Sequence, residues 1–448
     1  MPPRNNRRRK RAPAVATVEV AVTAIGAGGD GIGEEPDGRR LYVPFTVPGD
    51  RVRARPVQRL GDGLTAALVE VLSPGPERAP PPCRHFGRCG GCSLQHLTDD
   101  AYVRWKRERL EEALKRAGID RYRLEPLART PPAARRRATF AAFRPAAVNA
   151  PPICGFTVRN RHDIVDVAEC PVMAPRIVAL LPEMRRLLAE VLLTGERCRV
   201  AVSLLDGGLD VVLELPREPD LQARERLAAF AETADLARLS VRASDTVLPE
   251  PVAQRRAPTV AFGRTRVLAP PGAFLQASAA GEAALVAAVL AAVGATTGSL
   301  TPVADLFCGA GTFALPLRDA GARVHAVDAD AETLQALTAT ARTDAGLTIE
   351  KRDLFARPLR PQELQRFGAV VFDPPRAGAA AQARELAASA VPVIAAVSCN
   401  PSTFARDAGI LTAGGYRLER VVPVDQFLWS PHLELAATFR RRAKAYAA

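Results

Sequence analysis

The segment from Pro302 to Leu317 constrains the fold of this chain more than any other. A short apolar run there is followed by Gly309-Ala-Gly311 and then by a helical pattern, which predicts a strand, a tight turn and a helix. A second run, Ala322-Arg-Val-His-Ala-Val-Asp328, predicts the next strand. From Ala273 onward, helical patterns alternate with short β-rich runs. We therefore predict an open parallel sheet wrapped by helices, an α/β fold.

The same segments predict a nucleotide-type binding site. Glycine lets a ligand approach the backbone closely, and the helix that follows presents free N–H groups. Asp328, at the end of the second strand, is suited to ribose hydroxyls, and Asp353 adds a further acid. These residues leave both a dinucleotide and S-adenosylmethionine open. Asp373 follows a third apolar run and precedes two prolines, which stiffen the loop and favour a flat base or a methyl donor.

A cysteine and a glutamate near the C-terminus indicate covalent catalysis. The run from Val393 to Ser398 predicts a buried strand that delivers Cys399 into a polar turn. Further along, Ser430-Pro-His-Leu-Glu434 places a carboxylate on a nearby turn. The thiol and the carboxylate follow a nucleotide-type glycine turn in the sequence. The thiol is suited to act as a nucleophile and the carboxylate as a proton acceptor.

The chain has eight cysteines, and we expect it to be cytoplasmic, so these thiols indicate metal binding or catalysis rather than disulfides. Three of them lie within ten residues, at positions Cys83, Cys89 and Cys92. A closed site needs a fourth thiol, either Cys170 or Cys154. The spacing leaves zinc and iron–sulfur open, with a slight preference for iron–sulfur. Two others are expected to be buried packing residues, Cys198 and Cys308.

The net charge of +13, carried mostly by arginine, favours a polyanionic partner such as nucleic acid. A compositional bias toward arginine is the alternative explanation. No apolar run is long enough to span a membrane. Residues 14–72 carry short alternating patterns between glycine turns, which predict a small β-barrel. Arginines alternate along one of its strands and are expected to share a phosphate-tracking face, at Arg51, Arg53 and Arg55.

Several motifs together resemble the RNA uracil-5 methyltransferase family over nearly the whole chain. They are Cys83, Cys89-Gly-Gly-Cys92-Ser-Leu-Gln-His96, Asp305-Leu-Phe-Cys-Gly-Ala-Gly-Thr-Phe313, Asp373-Pro-Pro-Arg-Ala-Gly378, Ser398-Cys-Asn-Pro401 and His432-Leu-Glu434. The predicted barrel is similar to the TRAM domain of members that act on large-subunit ribosomal RNA. Asp328 departs from the pattern, because the family often has glutamate there.

The resemblance implies the roles of individual residues. It implies a [4Fe–4S] cluster on Cys83, Cys89, Cys92 and Cys170. It also implies S-adenosylmethionine contacts from Gln276, Phe307, Thr312, Asp328, Asp353 and Asp373. Cys399 would be the nucleophile that adds to uracil C6, and Glu434 would be the base that removes the C5 proton.

The resemblance also implies a domain order and a substrate. We expect a disordered basic tail at 1–13, a TRAM-like, OB-like β-barrel at 14–74, a mixed α/β central domain with the cluster at 75–271, and a doubly wound, Rossmann-like methyltransferase domain at 272–448. The expected substrate is RNA, in particular 23S ribosomal RNA, methylated by a monomeric cytoplasmic enzyme with no membrane partner. Two alternatives are a transfer RNA uracil-5 methyltransferase and an inactive RNA-binding protein.

Overall fold

The structure is a computed structural model that describes residues 16–35, 37–147, 150–294, 301–341 and 346–442. The basic tail predicted at 1–13 lies outside the described residues. The chain divides into two compact units. The first contains the described residues up to Gly87, together with Cys92–Trp105 and Trp429–Pro431. The second contains Arg88–Gly91, Lys106–Leu428 and the described residues from His432 onward.

Five strands of the first unit close into a barrel in the order β1-β2-β3-β5-β4. They are β1 (Val18–Ile25), β2 (Gly31–Glu34), β3 (Arg40–Val43), β4 (Arg51–Leu60) and β5 (Gly63–Ser73). Along β4, Val52 and Ala54 are fully buried, whereas Arg51 and Arg55 are exposed. The predicted barrel and its alternation are therefore confirmed, and a five-stranded barrel is the architecture of OB folds.

The arginine face of β4 is partly neutralised by neighbouring carboxylates. The guanidinium of Arg53 donates to Glu70 at 2.7 Å and to Glu19 at 3.2 Å. Arg51 also forms an ion pair with Glu19, at 3.8 Å. The phosphate-tracking role of this face stays a prediction, and two of its three arginines already pair with carboxylates.

A seven-stranded sheet forms the middle of the second unit, in the order β10-β9-β8-β11-β12-β13-β14. The elements from α1 to β16 are α1 (Asp99–Arg116), β6 (Arg123–Leu124), β7 (Ala128–Arg129), β8 (Arg137–Phe143), β9 (Ile153–Thr157), β10 (Ile164–Asp166), α2 (Pro175–Ala179), α3 (Leu181–Val191), β11 (Arg197–Leu205), β12 (Gly208–Glu214), α4 (Leu221–Thr233), β13 (Leu236–Arg242), β14 (Glu250–Gln254), β15 (Thr259–Phe262) and β16 (Thr265–Leu268). Within the described part of the chain, β15 and β16 form a separate two-stranded sheet.

The C-terminal part alternates helices and strands, as the sequence predicts. Its elements are α5 (Ala279–Val293), β17 (Val303–Leu306), α6 (Ala314–Asp319), β18 (Val324–Asp328), α7 (Ala331–Ala341), β19 (Leu347–Lys351), α8 (Pro361–Leu364), β20 (Ala369–Phe372), α9 (Ala380–Ala388), β21 (Val393–Ser398), α10 (Pro401–Ala413), β22 (Tyr416–Asp425) and β23 (Glu434–Arg441). The sheet order is β19-β18-β17-β20-β21-β23-β22-β6, and β7 also pairs with β22.

This sheet is covered on both faces. The first five strands are parallel, β23 runs antiparallel to β21, and β22 runs antiparallel to β23. One core cluster packs α5, α6 and α7 against the sheet, and a second packs α1, α8, α9 and α10. Strands β17, β20 and β21 are buried along their whole length, which two-sided coverage requires. The predicted doubly wound, Rossmann-like fold is confirmed. Among the described helices, none is both long and apolar enough to cross a membrane.

Candidate active site

The site lies where the strand order of the sheet reverses, at the carboxyl ends of β17 and β20, which is where ligands bind in open α/β sheets. After β17, the backbone bends through positive φ angles at Phe307 (63°), Gly309 (52°) and Gly311 (100°). A Cβ on Gly311 would lie 2.8 Å from a methyl carbon of Leu337. The turn therefore needs glycine at this position for conformation and for space.

Asp328, at the end of β18, is held against this turn by backbone amides. The N–H of Gly309 donates to its Oδ2 at 2.8 Å, and the N–H of Asp330 donates to its Oδ1 at 2.9 Å. Each carboxylate oxygen can accept a second hydrogen bond. The carboxylate is thus fixed in orientation while it keeps acceptor capacity for a ligand hydroxyl.

An aromatic pair stands beside the glycine turn. The rings of Phe307 and Phe355 have centroids 5.4 Å apart, and Phe355 is 50% exposed. Asp353, which is exposed, accepts hydrogen bonds through Oδ1 from the N–H groups of Phe355 (2.9 Å) and Ala356 (3.2 Å). These bonds fix the loop that presents the Phe355 ring. Phe355 is not among the residues predicted from the sequence, although its position two residues after Asp353 was a usable signal.

Gln276 joins a chain of buried polar side chains that ends at Asp373. Gln426 Nε2 donates to Gln276 Oε1 at 2.6 Å, and Gln276 Nε2 donates to Asp373 Oδ2 at 3.4 Å. The backbone oxygen of Gln276 accepts from Arg136 Nε at 3.0 Å. Burial, with the nearby carboxylates of Glu434 and Asp305, raises the pKa of Asp373 well above its ordinary value. Thr312, the remaining predicted cofactor residue, follows the glycine turn and is partly buried.

Asp305, inside β17, is a buried acid to which the sequence analysis gave no role. Its side chain is fully buried, and neither carboxylate oxygen has a hydrogen-bond partner among the described residues. Burial raises the pKa of Asp305 to about 8, and the negative charge of Asp328 acts in the same direction. The carboxyl is therefore mostly protonated at neutral pH and can act as a hydrogen-bond donor.

Cys399 and Glu434 come from neighbouring strands at the same edge of the sheet. Ser398, the last residue of β21, pairs with Leu435 of β23, so the adjacent Cys399 and Glu434 lie at the ends of adjacent strands. Cys399 is partly exposed, whereas Glu434 is 3% exposed. The register therefore brings together the two residues that the sequence predicts to be catalytic, and their roles stay a prediction.

The ionisation of both groups is shifted toward the neutral form. Burial raises the pKa of Cys399 to about 11, as do the charges of Glu434 and Asp373, while Arg376 lowers it. Burial also raises the pKa of Glu434 to about 7, against opposing effects from Gln426 and Arg137. Glu434 Oε2 has no hydrogen-bond partner among the described residues. A carboxyl that titrates near neutrality is suited to accepting and releasing a proton.

The loop that follows Asp373 is tied to the turn that carries Cys399. Asn400 caps the N-terminus of α10 by accepting a hydrogen bond from the N–H of Ser402 at 3.1 Å. Its Nδ2 donates to the backbone oxygen of Arg376 at 3.3 Å, and Thr403 Oγ1 donates to the same oxygen at 3.2 Å. The two loops at the mouth of the sheet are thereby held together.

A buried ion pair anchors the start and the end of the β22–β23 connection. Lys106 of α1 and Asp425 of β22 are both fully buried, and Lys106 Nζ donates to Asp425 Oδ1 at 3.0 Å. The same Nζ donates to the backbone oxygen of His432, two residues before Glu434. The lysine therefore restrains the segment that delivers the predicted base.

An arginine and an exposed ring flank this site, and the sequence analysis missed both. The guanidinium carbon of Arg137 lies 4.2 Å from the centre of the Phe274 ring, which is 62% exposed. Burial lowers the pKa of Arg137 to about 10. Neither residue belongs to a glycine, cysteine or acidic motif, so only their position relative to Glu434 and Gln276 marks them.

Comparison with known proteins identifies the family. Residues 267–442 match the family model of tRNA (Uracil-5-)-methyltransferase. An uncharacterized RNA methyltransferase of Brucella suis biovar 1 is 45% identical over 95% of this chain and 98% of its own length. The 23S rRNA (uracil(1939)-C(5))-methyltransferase RlmD of Halomonas elongata is 33% identical over 93% of this chain and 88% of its own.

The chain belongs to the RNA uracil-5 methyltransferase family. The family and the enzyme class predicted from sequence, an RNA methyltransferase, are thus confirmed. A solved structure, the tRNA (uracil-54, C5)-methyltransferase of Pyrococcus abyssi with S-adenosyl-L-homocysteine, aligns with a TM-score of 0.71 at 21% identity. It covers 94% of this chain and 100% of its own, and it supports the fold.

Apart from Cys399, the cysteines of this family member fall into two groups. Cys198 and Cys308 are buried in apolar cores, as predicted, and so is Cys154. Burial raises the pKa of Cys154 to about 12, which makes it a poor metal ligand. The four cysteines expected to hold the cluster are partly exposed: Cys83, Cys89, Cys92 and Cys170. Within the described ranges, no group of three or more His, Cys, Asp or Glu side chains is placed to hold a metal ion, so the cluster stays a prediction.

Proposed function

We propose that this protein methylates C5 of a uridine in RNA, using S-adenosylmethionine and a covalent enzyme–RNA adduct. The observation that carries this proposal is the meeting of Cys399 and Glu434 at the carboxyl edge of the sheet, next to the glycine turn. A thiol nucleophile and a carboxylate of pKa about 7 in one site fit a reaction that needs addition followed by proton removal.

The residues proposed to hold the cofactor fit its chemistry. Asp328 keeps acceptor capacity for ribose hydroxyls, and the rings of Phe307 and Phe355 offer an apolar surface for a flat base. Gln276 and Asp373 supply polar groups near the reaction centre, while Thr312 and Asp353 flank the turn and its neighbouring loop. When bound, S-adenosylmethionine supplies an electrophilic methyl group on its sulfonium.

Cys399 begins the reaction by making uracil C5 nucleophilic. Its thiol is protonated at neutral pH, because burial and two carboxylates raise its pKa to about 11. As sulfur attacks, the proton must therefore leave to solvent, which the partly exposed Cys399 can reach, so that Glu434 stays deprotonated for the later step. The new Sγ–C6 bond places the electron pair of the former C5–C6 double bond in an enolate, and C5 then takes the methyl group.

Glu434 completes the reaction by removing the C5 proton. The electrons of the C5–H bond re-form the C5–C6 double bond, and the Sγ–C6 bond breaks, which returns the thiolate. Below pH 7, Glu434 is mostly protonated and cannot accept this proton. The buried ion pair of Lys106 and Asp425 restrains the backbone on both sides of the segment that ends at this base.

We propose 23S ribosomal RNA as the substrate. The support is the 33% identity to the Halomonas enzyme, whose name specifies 23S rRNA, together with the N-terminal barrel, which we assign to the TRAM type. Transfer RNA is the second candidate, because the matching family model is described as a tRNA (Uracil-5-)-methyltransferase. We also propose a cytoplasmic location, where either RNA would be met.

We further propose that Cys83, Cys89, Cys92 and Cys170 hold a [4Fe–4S] cluster. Four partly exposed cysteine thiols are the donor set that such a cluster takes, and the competing Cys154 lies in an apolar core. Iron and sulfide analysis of anaerobically purified protein tests this. Cys83→Ser should lower the iron content, destabilise the middle region and weaken RNA binding. Unchanged iron content in this variant would contradict the assignment.

The decisive experiment is nucleoside mass spectrometry of ribosomal and transfer RNA from cells with and without this gene, read for 5-methyluridine. Loss confined to 23S ribosomal RNA supports the proposal. Loss in transfer RNA alone keeps the chemistry and replaces the substrate. No loss in either supports an inactive RNA-binding protein instead.

The purified protein provides a second readout of the mechanism. Cys399→Ala should abolish both methyl transfer and the denaturation-resistant protein–RNA adduct while RNA binding persists. Glu434→Gln should abolish turnover while the methylated adduct accumulates. Cys198→Ala removes a buried thiol outside the site and serves as the matched control, with activity retained.

A further inference from the structure

An arginine-lined cavity of about 940 Å³ opens at the end of the β21–β23 strand pair that is opposite to Cys399 and Glu434. Its walls come from the segment 118–123, the α10–β22 region at 412–419 and the end of β23 at 440–442. Six arginines line it: Arg121, Arg123, Arg417, Arg440, Arg441 and Arg442. Among the described residues, two acidic side chains line it, Asp120 and Glu419, so this described lining carries a net charge of about +4.

The position of this arginine cavity follows from strand register. At one end of the β21–β23 pair, Ser398 faces Leu435, beside Cys399 and Glu434. At the other end, Val393 faces Arg440. At ~3.3 Å per residue, the two ends of β23 are ~20 Å apart, so the cavity cannot be part of the methyl-transfer site.

The cavity walls are ordered before any ligand binds. The guanidinium of Arg441 lies over the ring of Tyr416 at 5.1 Å, and the buried Tyr416 hydroxyl donates to the backbone oxygen of Val391 at 2.7 Å. Glu419 accepts hydrogen bonds from both Arg440, at 3.0 Å, and Arg417. These contacts use only part of the five N–H donors on each guanidinium, so donors remain for an incoming anion.

We infer that this cavity binds the phosphate backbone of the RNA substrate at a point remote from the target uridine. Arginine matches the geometry of phosphate oxygens, and several fixed guanidiniums in one concave surface suit successive phosphodiesters. In a stacked strand, with ~3.4 Å per nucleotide, ~20 Å corresponds to about six nucleotides, and RNA that passes around the mostly buried β23 needs at least that many. This inference rests on the proposed function, because it takes the polyanion to be the RNA that is methylated.

The test compares two triple variants of the full-length protein. Arg121→Ala, Arg417→Ala and Arg442→Ala remove exposed arginines of the cavity, and Arg440 still pairs with Glu419 in this variant. The control, Arg186→Ala, Arg199→Ala and Arg226→Ala, removes the same charge from residues that do not line the cavity. Binding of a 23S ribosomal RNA transcript is measured by fluorescence anisotropy over a range of salt concentrations.

For the cavity variant, we expect the slope of log Kobs against log[salt] to become shallower by about 2. If the two proteins bind equally at about 1 M salt, this is about a 100-fold loss of RNA affinity relative to the wild type at about 0.1 M salt. The control variant should lose less than half of that. A uridine oligonucleotide of about four residues, too short to reach the cavity, should bind both variants as it binds the wild type.

Equal slopes for the cavity and control variants would overturn the inference. A second outcome would also overturn it. In that outcome, inorganic pyrophosphate raises the melting temperature of the wild type, but the cavity variant binds RNA as tightly as the wild type does. If the triple variant melts below the wild type, Arg121→Glu alone replaces it, because Arg121 is exposed. The outcome is separable from the proposed function. If the protein methylates no uridine but the cavity variant still has the shallower salt slope, the methylation proposal is wrong and the proposed RNA site stands.

Discussion

Replacing Lys106 by methionine removes one member of the buried ion pair beneath the catalytic edge. Lys106 and Asp425 are fully buried, and their side chains are joined at 3.0 Å. The variant keeps most of the side-chain volume but removes the ammonium group that pairs with the buried carboxylate of Asp425. Removing one partner of a buried pair costs about 3–5 kcal/mol, because the remaining charge has lost its water and its partner.

This cost can be read from thermal unfolding. At about 2 °C per kcal/mol for a large domain, the midpoint should fall by about 6–10 °C. Arg116→Met is the matched control on the same helix, because Arg116 pairs with Glu112 at 3.3 Å with both side chains well exposed. An exposed pair of this kind contributes at most about 1 kcal/mol. The double variant Lys106→Met, Asp425→Leu removes both charges and should recover most of the loss.

The ion pair also predicts an effect on catalysis. Lys106 restrains the backbone oxygen of His432, so its loss should let the segment before Glu434 move and reduce kcat at temperatures where the variant is folded. The prediction is wrong if the free energy of unfolding of Lys106→Met lies within about 1 kcal/mol of that of the Arg116→Met control. It also fails if the double variant is as unstable as the single one.

Three further predictions concern the cofactor turn and the base. The value of kcat/KM should fall about tenfold per pH unit below pH 7, because Glu434 has a pKa of about 7 and must be deprotonated to act; a profile that is flat from acid to neutral pH contradicts this assignment. Asp305 has a raised pKa of about 8, so the folded state binds a proton that the unfolded state releases near pH 4, and wild-type stability should decline from about pH 4 to 8 without cofactor. Asp305→Asn should flatten that decline in melting measurements across the pH range, and an unchanged slope would count against a neutral Asp305. Gly311→Ala should abolish cofactor binding in calorimetry and lower stability by more than about 1 kcal/mol, because φ is +100° and the new methyl meets Leu337 and Leu315; wild-type affinity would refute this.

The sequence by itself determined the C-terminal sheet and the outline of its site. Apolar runs such as Val393 to Ser398 are local patterns whose period and length specify buried strands, and each ends in a chemically distinctive residue. Because parallel strands meet at one edge, Asp373 and Cys399 were predictable as neighbours. The glycine turn was equally readable, since only glycine satisfies its backbone at Gly311.

Other features depended on tertiary structure. The short strands β6 and β7 join β22, far away in sequence, and their few residues carry no periodic signal of their own. The arginines of β4 are alternately exposed, as the pattern predicts, but their carboxylate partners on β1 and β5 depend on barrel register.

Tertiary structure also decided how the acids of the site ionise. Asp305 and Glu434 look like ordinary carboxylates in the sequence, and it is mainly their burial in the folded chain that raises their pKa values. The pairing of Lys106 with Asp425 likewise joins two residues that are 319 positions apart in the sequence. Local sequence fixes period, turn and residue type, whereas desolvation and charge pairing depend on contacts between distant segments, which only the folded chain creates.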